Sequence, residues 1–264
     1  MDENIKIAVQ DEKRVKRIKS ILSWSLAILG ILLILSQLFP LSRSFVFGIF
    51  EEFKVTLMKD PFPESYKQYI ENEFAYYDPG KSYFANLSNT ANGLQYQGVF
   101  TYDPATQSSK PIVINREYKE DMYMYINSVD IQGVRITPNV ESSNEEVYDK
   151  YLKYGLAHFK GTPLPGDGGN SFIYGHSAVE SFFTKHSNLA ETIFTRLSDV
   201  DVGDSVIVKR DGKEIKYIVR NKRIVSPEDF SILKSQGDKE TLTLMTCWPL
   251  GVGTKRLIVV AERY

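Results

Sequence analysis

The chain has 264 residues, enough for one or two domains, and an ordinary globular mix of 42% hydrophobic and 25% charged side chains. Its formal net charge of −1 gives no electrostatic footprint for nucleic acid. The single cysteine, Cys247, excludes an internal disulfide and any metal site built from several cysteines.

Residues 1–20 are polar and end in a basic cluster of Lys13, Arg14, Lys16, Arg17 and Lys19. From Ile21 to Leu41 no side chain is charged. A helix over that run would measure roughly 31 Å, the thickness of a hydrocarbon core. Positive charge precedes the run, and only Arg43 follows it closely before Glu51 and Glu52. The positive-inside rule therefore expects a cytoplasmic tail at 1–20, a transmembrane anchor at 21–41 and the remainder outside the cell. A cleaved signal peptide and a buried core helix are the alternatives. The run exceeds the roughly 7–15 residues of a signal h-region, and no A-x-A-like site follows it. No second apolar run of spanning length appears.

Residues 42–120 form an N-terminal extension. Helical stretches are expected in its first part, interrupted at Asp60-Pro61-Phe62-Pro63. Its second part is rich in Asn, Ser, Gly and Tyr and reads as irregular or as short strands. From Met122 onward the pattern is strand-like, with a turn expected at Gln132-Gly133. Ser143 and Glu146 have the spacing of a capping box, opening a helix toward Ala157. Gly161 to Gly169 reads as a loop and Ser171 to Tyr174 as a short strand ending at Gly175-His176. Residues 188–197 are expected to be helical. Asp211-Gly212, between two apolar runs, is the strongest hairpin signal in the chain. Two further strands are expected at the C-terminal end, one from Thr241 into Cys247 and one opened by Arg256, joined by a loop carrying Pro249, Gly251 and Gly253. Seven or eight short strands over about 145 residues suggest a closed β-barrel or a sandwich.

Cysteine catalysis needs a thiolate, a proton carrier and a donor for the developing oxyanion. Cys247 supplies a thiol, and Arg256 supplies a cation that never deprotonates at working pH. The histidines are His158, His176 and His186, of which His176 ends a strand in the manner of Cys247. Taken singly, Cys247 reads equally well as a buried small hydrophobe, Arg256 as a surface charge, and each histidine as structural or exposed. The combination points to chemistry.

That combination resembles a known family. Phe172-Ile173-Tyr174-Gly175-His176-Ser177, Thr243-Leu244-Met245-Thr246-Cys247 and Arg256-Leu257-Ile258-Val259 are similar to the histidine, TLxTC and arginine motifs of the sortases, the cysteine transpeptidases of Gram-positive bacterial surfaces. Gly155-Leu156-Ala157-His158-Phe159, Pro165-Gly166, Gly203-Asp204 and Val225-Ser226-Pro227 follow the same order. The resemblance covers residues 121–264. It implies an eight-stranded β-barrel of mainly β class with a few short helices, preceded by one N-terminal transmembrane helix. It implies Cys247 as nucleophile, His176 as acid/base and Arg256 as oxyanion and substrate holder. The implied reaction cleaves an LPxTG-like sorting signal, holds the acyl group as a thioester, and passes it to an amine. The implied partners are surface proteins with a C-terminal sorting signal, and an amine acceptor on a cell-wall precursor or a pilin lysine. The membrane is contacted through Ile21–Leu41. No cofactor and no metal are expected, with calcium stimulation left open.

Asp60-Pro61-Phe62 is similar to the lid motif of pilin-polymerising class C sortases. It lies far upstream of His176, and the tail resembles class D or E enzymes as much as class C. Three alternatives remain. An L,D-transpeptidase would place an arginine where Pro249 stands, and a papain-like hydrolase would place Cys before His. A catalytically inactive, membrane-anchored binding or scaffold module of the same fold is the alternative from a different class.

Overall fold

The computed structural model describes residues 19–36, 39, 42–43, 45–46, 49–50, 84, 114–179, 188–234 and 239–264, together with the backbone of 102–103 and 108–109. Asp60-Pro61-Phe62, His186 and the basic cluster up to Arg17 lie outside the described residues. The chain divides into two units, Met1–Arg43 and Ser44–Tyr264.

In the first unit, helix α1 runs over Lys19–Ser36, with a mean hydropathy of 1.9 and no buried side chain, and is long and apolar enough to cross a membrane. Two of its serine hydroxyls bond locally, Ser25 Oγ donating to the Leu22 carbonyl and Ser36 Oγ to that of Leu33. Such back-bonding lets a helix carry serine in an apolar solvent.

In the second unit the two-residue strands β1 (Tyr102–Asp103) and β2 (Ser108–Ser109) pair antiparallel. Eight further strands then close a barrel. They are β3 (Met122–Ile126), β4 (Ile131–Val140), β5 (Leu156–Phe159), β6 (Asn170–Tyr174), β7 (Ser205–Arg210), β8 (Lys213–Val225), β9 (Thr241–Trp248) and β10 (Lys255–Arg263). Around the barrel the order is β10-β8-β7-β3-β4-β5-β6-β9. Pairing is antiparallel except between β4 and β5 and between β6 and β9. Helix α2 (Glu145–Leu152) and 3-10 segments at Ala190–Asp199 and Phe230–Leu233 lie between strands.

Local sequence explains most of these elements. Asp211 and Gly212 both take positive φ, 52° and 72°, which a two-residue hairpin between right-twisted strands requires. The barrel interior is filled by side chains from all eight strands, among them Met124, Ile173, Val208, Tyr217, Leu244 and Val259, all fully buried. On β5, β6, β9 and β10 the opposite face is buried too. There Phe159, Phe172, Tyr174, Met245 and Ile258 pack with Tyr148 and Leu152 of α2 and with Phe84 of the N-terminal extension. Double burial explains why β6 is enclosed along its whole length and β9 over Thr241–Thr246. The outward threonines of β9 survive burial because Asn170 Oδ1 accepts from Thr241 Oγ1 and Thr243 Oγ1, at 3.1 and 2.8 Å.

Several boundaries differ from expectation, each for a visible reason. The cap of α2 is Asn144, whose side chain accepts from the Glu146 N–H, while the Ser143 hydroxyl is engaged by Glu141. The helix stops at Leu152, well short of Ala157, because the chain must reach β5 and pair in parallel with β4. Gly155 lies so close to β4 that a Cβ there would run into the Arg135 carbonyl. His158 therefore lies in β5 rather than at a helix end. Its Nδ1 accepts from the Asn139 N–H, which puts its proton on Nε2, facing the Pro163 carbonyl at 3.0 Å. Complete burial pushes its imidazole down to about 4, so it is a neutral structural group. The turn between β3 and β4 is the 3-10 segment Asn127–Val129 with Asp130 at positive φ, and Gln132-Gly133 falls within β4. The stretch from residue 190 is a 3-10 segment, not an α-helix.

Candidate active site

The register of three strands decides where the sequence-predicted residues stand. Arg256 of β10 is the direct cross-strand partner of Cys247 of β9, so their side chains project from the same face. Residues on that face of β9 and β10 alternate with interior ones. Met245 and Ile258 share it, whereas Leu244, Trp248 and Leu257 point into the barrel. Cys247 and Arg256 thus lie on the outside of the barrel, on the face that carries α2.

His176 comes to the same face through the parallel β6–β9 ladder. Tyr174 is paired with Met245, and continuing two residues on each strand places His176 beside Cys247. The chain holds this track past the end of β6. The Gly175 N–H donates to the Met245 carbonyl at 3.2 Å, Thr246 Oγ1 donates to the Gly175 carbonyl at 2.9 Å, and Ser177 Oγ donates to the Cys247 carbonyl at 3.1 Å. His176 is thereby stapled to β9 on both sides. Its own side chain reaches α2, where Nε2 lies 2.9 Å from Asp149 Oδ1.

Gly175 is required by packing. A Cβ there would stand 2.5 Å from Leu156 Cδ2 and 2.9 Å from the Phe194 ring, and both neighbours are fully buried. Gly175→Ala is expected to destabilise the fold by about 1–3 kcal/mol, as overpacking does. It should also lower activity by displacing the adjacent His176. Urea denaturation alongside a peptide-cleavage assay checks this, and unchanged values of both would contradict the close packing at this position.

The loop from Pro249 to Thr254 turns back over the thiol. The Val252 and Gly253 N–H groups donate to the Pro249 carbonyl, and a Cβ on Gly253 would lie 3.8 Å from Cys247 Sγ. Gly251, at φ 74°, admits Val179 so closely that a side chain there would collide with it. The segment after His176 and the loop after Cys247 therefore meet. Trp248, next to Cys247, is a buried part of the barrel core.

Electrostatically the face is mixed. Cys247 is half-buried, and Arg256 Nη1 donates to the carbonyls of Gly253 and Lys255, at 2.7 and 2.8 Å. Tyr148 sits among Glu145, Asp149, Cys247 and Arg256. Burial, reinforced by the anionic neighbours, pushes its phenol up to about 12, so it remains neutral. The hydrogen bond from His176, with a lesser one from Lys153, holds the Asp149 carboxyl below its ordinary range. A thiol, an imidazole and a guanidinium at neighbouring strand ends on one face are the groups that acyl transfer through a thioester requires.

Of the sequence-predicted residues, Cys247, His176 and Arg256 come together and His158 does not. Asp149 was not anticipated. Its one sequence signal is its place beside Tyr148 and Leu152, the apolar pair that docks α2, and one turn before Lys153. Nothing in that pattern names His176 as its partner.

Comparison with known proteins places this arrangement in context. A family model described as the Sortase domain matches residues 124–264. Sortase D of Bacillus subtilis (strain 168) is 28% identical over 129 residues, which is 48% of this chain and 57% of that relative's length. Among solved structures, sortase C-1 of Actinomyces oris is 24% identical, with a TM-score of 0.47 over 69% of this chain and 97% of its own. A sortase C of Clostridium perfringens, solved with the C-terminal cell wall sorting motif, is 25% identical, with a TM-score of 0.45 over 76% of this chain and 96% of its own.

Proposed function

The chain belongs to the sortase family, and from that premise we propose that it is a membrane-anchored cysteine transpeptidase acting on an LPxTG-like sorting signal. The observation that carries this reading is the register that sets Arg256 opposite Cys247 and brings His176 alongside on the same face. In the proposed reaction the Cys247 thiolate attacks the carbonyl carbon before the scissile bond. Arg256 donates to the oxyanion that forms. The imidazolium of His176 protonates the leaving amine as the C–N bond breaks, leaving a thioester on Cys247. An incoming amine then attacks the thioester, His176 takes up its proton, and the thiolate is expelled. A thioester keeps the acyl group activated while it waits, and water in place of the amine would give cleavage alone.

The acceptor amine belongs to a cell-wall precursor or to a lysine of another surface protein. The three side chains supply every group the reaction needs, so no cofactor is required. Residues 1–20 are read as a cytoplasmic tail, Ile21–Leu41 as the anchor, 42–120 as an extracellular extension and 121–264 as the catalytic barrel. The length and apolarity of α1 support the anchor.

Incubation of the full-length chain in detergent with a quenched sorting peptide and an amine tests the proposal. Amide transfer that depends on Cys247 supports it, and a folded chain that neither cleaves nor transfers any sorting peptide refutes it. Arg256→Lys is expected to lower kcat/KM about 100- to 1000-fold. One ammonium cannot both hold the Gly253 and Lys255 carbonyls and meet an oxyanion as the planar fork can. Full activity in this variant would remove Arg256 from the oxyanion role.

A further inference from the structure

The proposed chemistry uses three side chains, yet a fourth group touches the histidine. Asp149 stands in the middle of α2, which is fixed by its Asn144 cap and by burial of Tyr148 and Leu152. One carboxylate oxygen, Oδ1, lies 2.9 Å from His176 Nε2, and the other, Oδ2, lies 3.3 Å from Lys153 Nζ. An ionised carboxylate only accepts, so Nε2 carries the proton in this bond. In the neutral imidazole that leaves the lone pair on Nδ1.

We propose that Asp149 is a positioning residue for His176: it holds the ring as the Nε2–H tautomer, makes Nδ1 the proton-carrying nitrogen of the reaction, and stabilises the imidazolium. The inference rests on His176 acting as acid and base. The proton balance is simple. The Cys247 proton moves to Nδ1 and from there to the leaving amine. In the second half the acceptor amine returns a proton to Nδ1. The Nε2 proton stays in place throughout, and Asp149 is never protonated. A nucleophile, a base and a third group that orients the base is the general logic of activated nucleophiles.

Three further observations support the assignment. The His176 bond is the leading reason that the Asp149 carboxyl is held below its ordinary range. Asp149 sits on a packed helix rather than a loop, which fixes its position relative to β6. The other charged or titratable groups on this face are Lys153, which pairs with Asp149, and Glu145, Cys247 and Arg256, which surround Tyr148. Among the described residues Asp149 is the side chain hydrogen-bonded to the His176 ring. Side-chain exposures of 39% for His176 and 38% for Asp149 limit the size of the effect, since water screens the pair.

The test uses the full-length chain in detergent, with Asp149→Asn and Asp149→Glu beside wild type. Asparagine keeps the size and an acceptor oxygen but removes the charge. Asp149→Asn is expected to lower kcat/KM about 10- to 100-fold. The limb of the pH–rate profile that reports loss of the His176 proton should move to lower pH, because the imidazolium has lost its counter-charge. The ¹⁵N spectrum of His176 should change from a single Nε2–H tautomer to a mixture. Asp149→Glu should recover the position of the limb and part of the rate. A wild-type profile and tautomer in Asp149→Asn would overturn the proposal. So would a lower rate with limb and tautomer unmoved, which would mark Asp149 as merely structural. If His176→Ala is itself fully active, the acid/base reading falls and this refinement falls with it. If only the Asp149 variants are silent, that reading stands alone.

Discussion

Replacement of Cys247 by alanine is expected to reduce both peptide cleavage and amine transfer to the uncatalysed background. The reasoning is structural as well as chemical. The side chain projects from the outer face of β9 and is half-buried, and the following loop passes close to it at Gly253. Alanine fits there without strain, so stability should change by no more than about 0.5 kcal/mol, the usual range for such sites. The loss of activity would then be chemical. His176 and Arg256 would still bind and polarise a carbonyl, but without the thioester no acyl group is retained for an amine. Serine in the same place should fare little better, because its hydroxyl forms an anion far less readily than a thiol. Chromatographic detection of the amide product, with thermal melting as the control for folding, decides the matter. Residual transfer by Cys247→Ala would place the nucleophile elsewhere.

The second large effect is expected from His176→Ala, a loss of about 10²- to 10⁴-fold in kcat/KM for a peptide substrate. Two roles are combined in this estimate: generating the thiolate and protonating the leaving amine. They can be separated. An activated ester leaves without needing a proton, so His176→Ala should damage ester turnover much less than peptide turnover. Added imidazole should restore part of the peptide activity, since removal of the ring opens space beside Cys247. Equal losses on ester and peptide would remove the acid role and leave His176 only the task of forming the thiolate.

Much of this site was legible before any coordinates. The Thr-Leu alternation into Cys247 and the β-branched run after Arg256 each have the period of a strand, and both are strands. Asp211-Gly212 has the composition its positive φ values demand. Less legible was anything set by partners distant in sequence. The parallel pairing of β6 with β9 brings His176 to Cys247, and periodicity carries no trace of which strands pair. The double burial of β6 was not legible, because the strand opens with Asn170 and Ser171, polar residues that are nonetheless buried. The cap at Asn144 was missed because a capping box at Ser143 satisfies the same local rule, and only the Glu141 contact decides between them. Parity alone settles Trp248: one residue past Cys247 on β9, it points into the barrel. Asp149 carried an ordinary helical i,i+4 pattern with Lys153 and nothing that pointed to β6.

The central claim is that Cys247 carries an acyl group from a sorting signal to an amine. Intact-protein mass spectrometry of the full-length chain, mixed with a sorting peptide and quenched in acid within the first turnovers, tests it most directly. The expected result is a mass increase equal to the N-terminal peptide fragment, mapped to Cys247, which disappears when an amine is added and reappears as the amide. A folded, wild-type chain that never gains this mass with any sorting peptide, or gains it at a residue other than Cys247, would contradict the account.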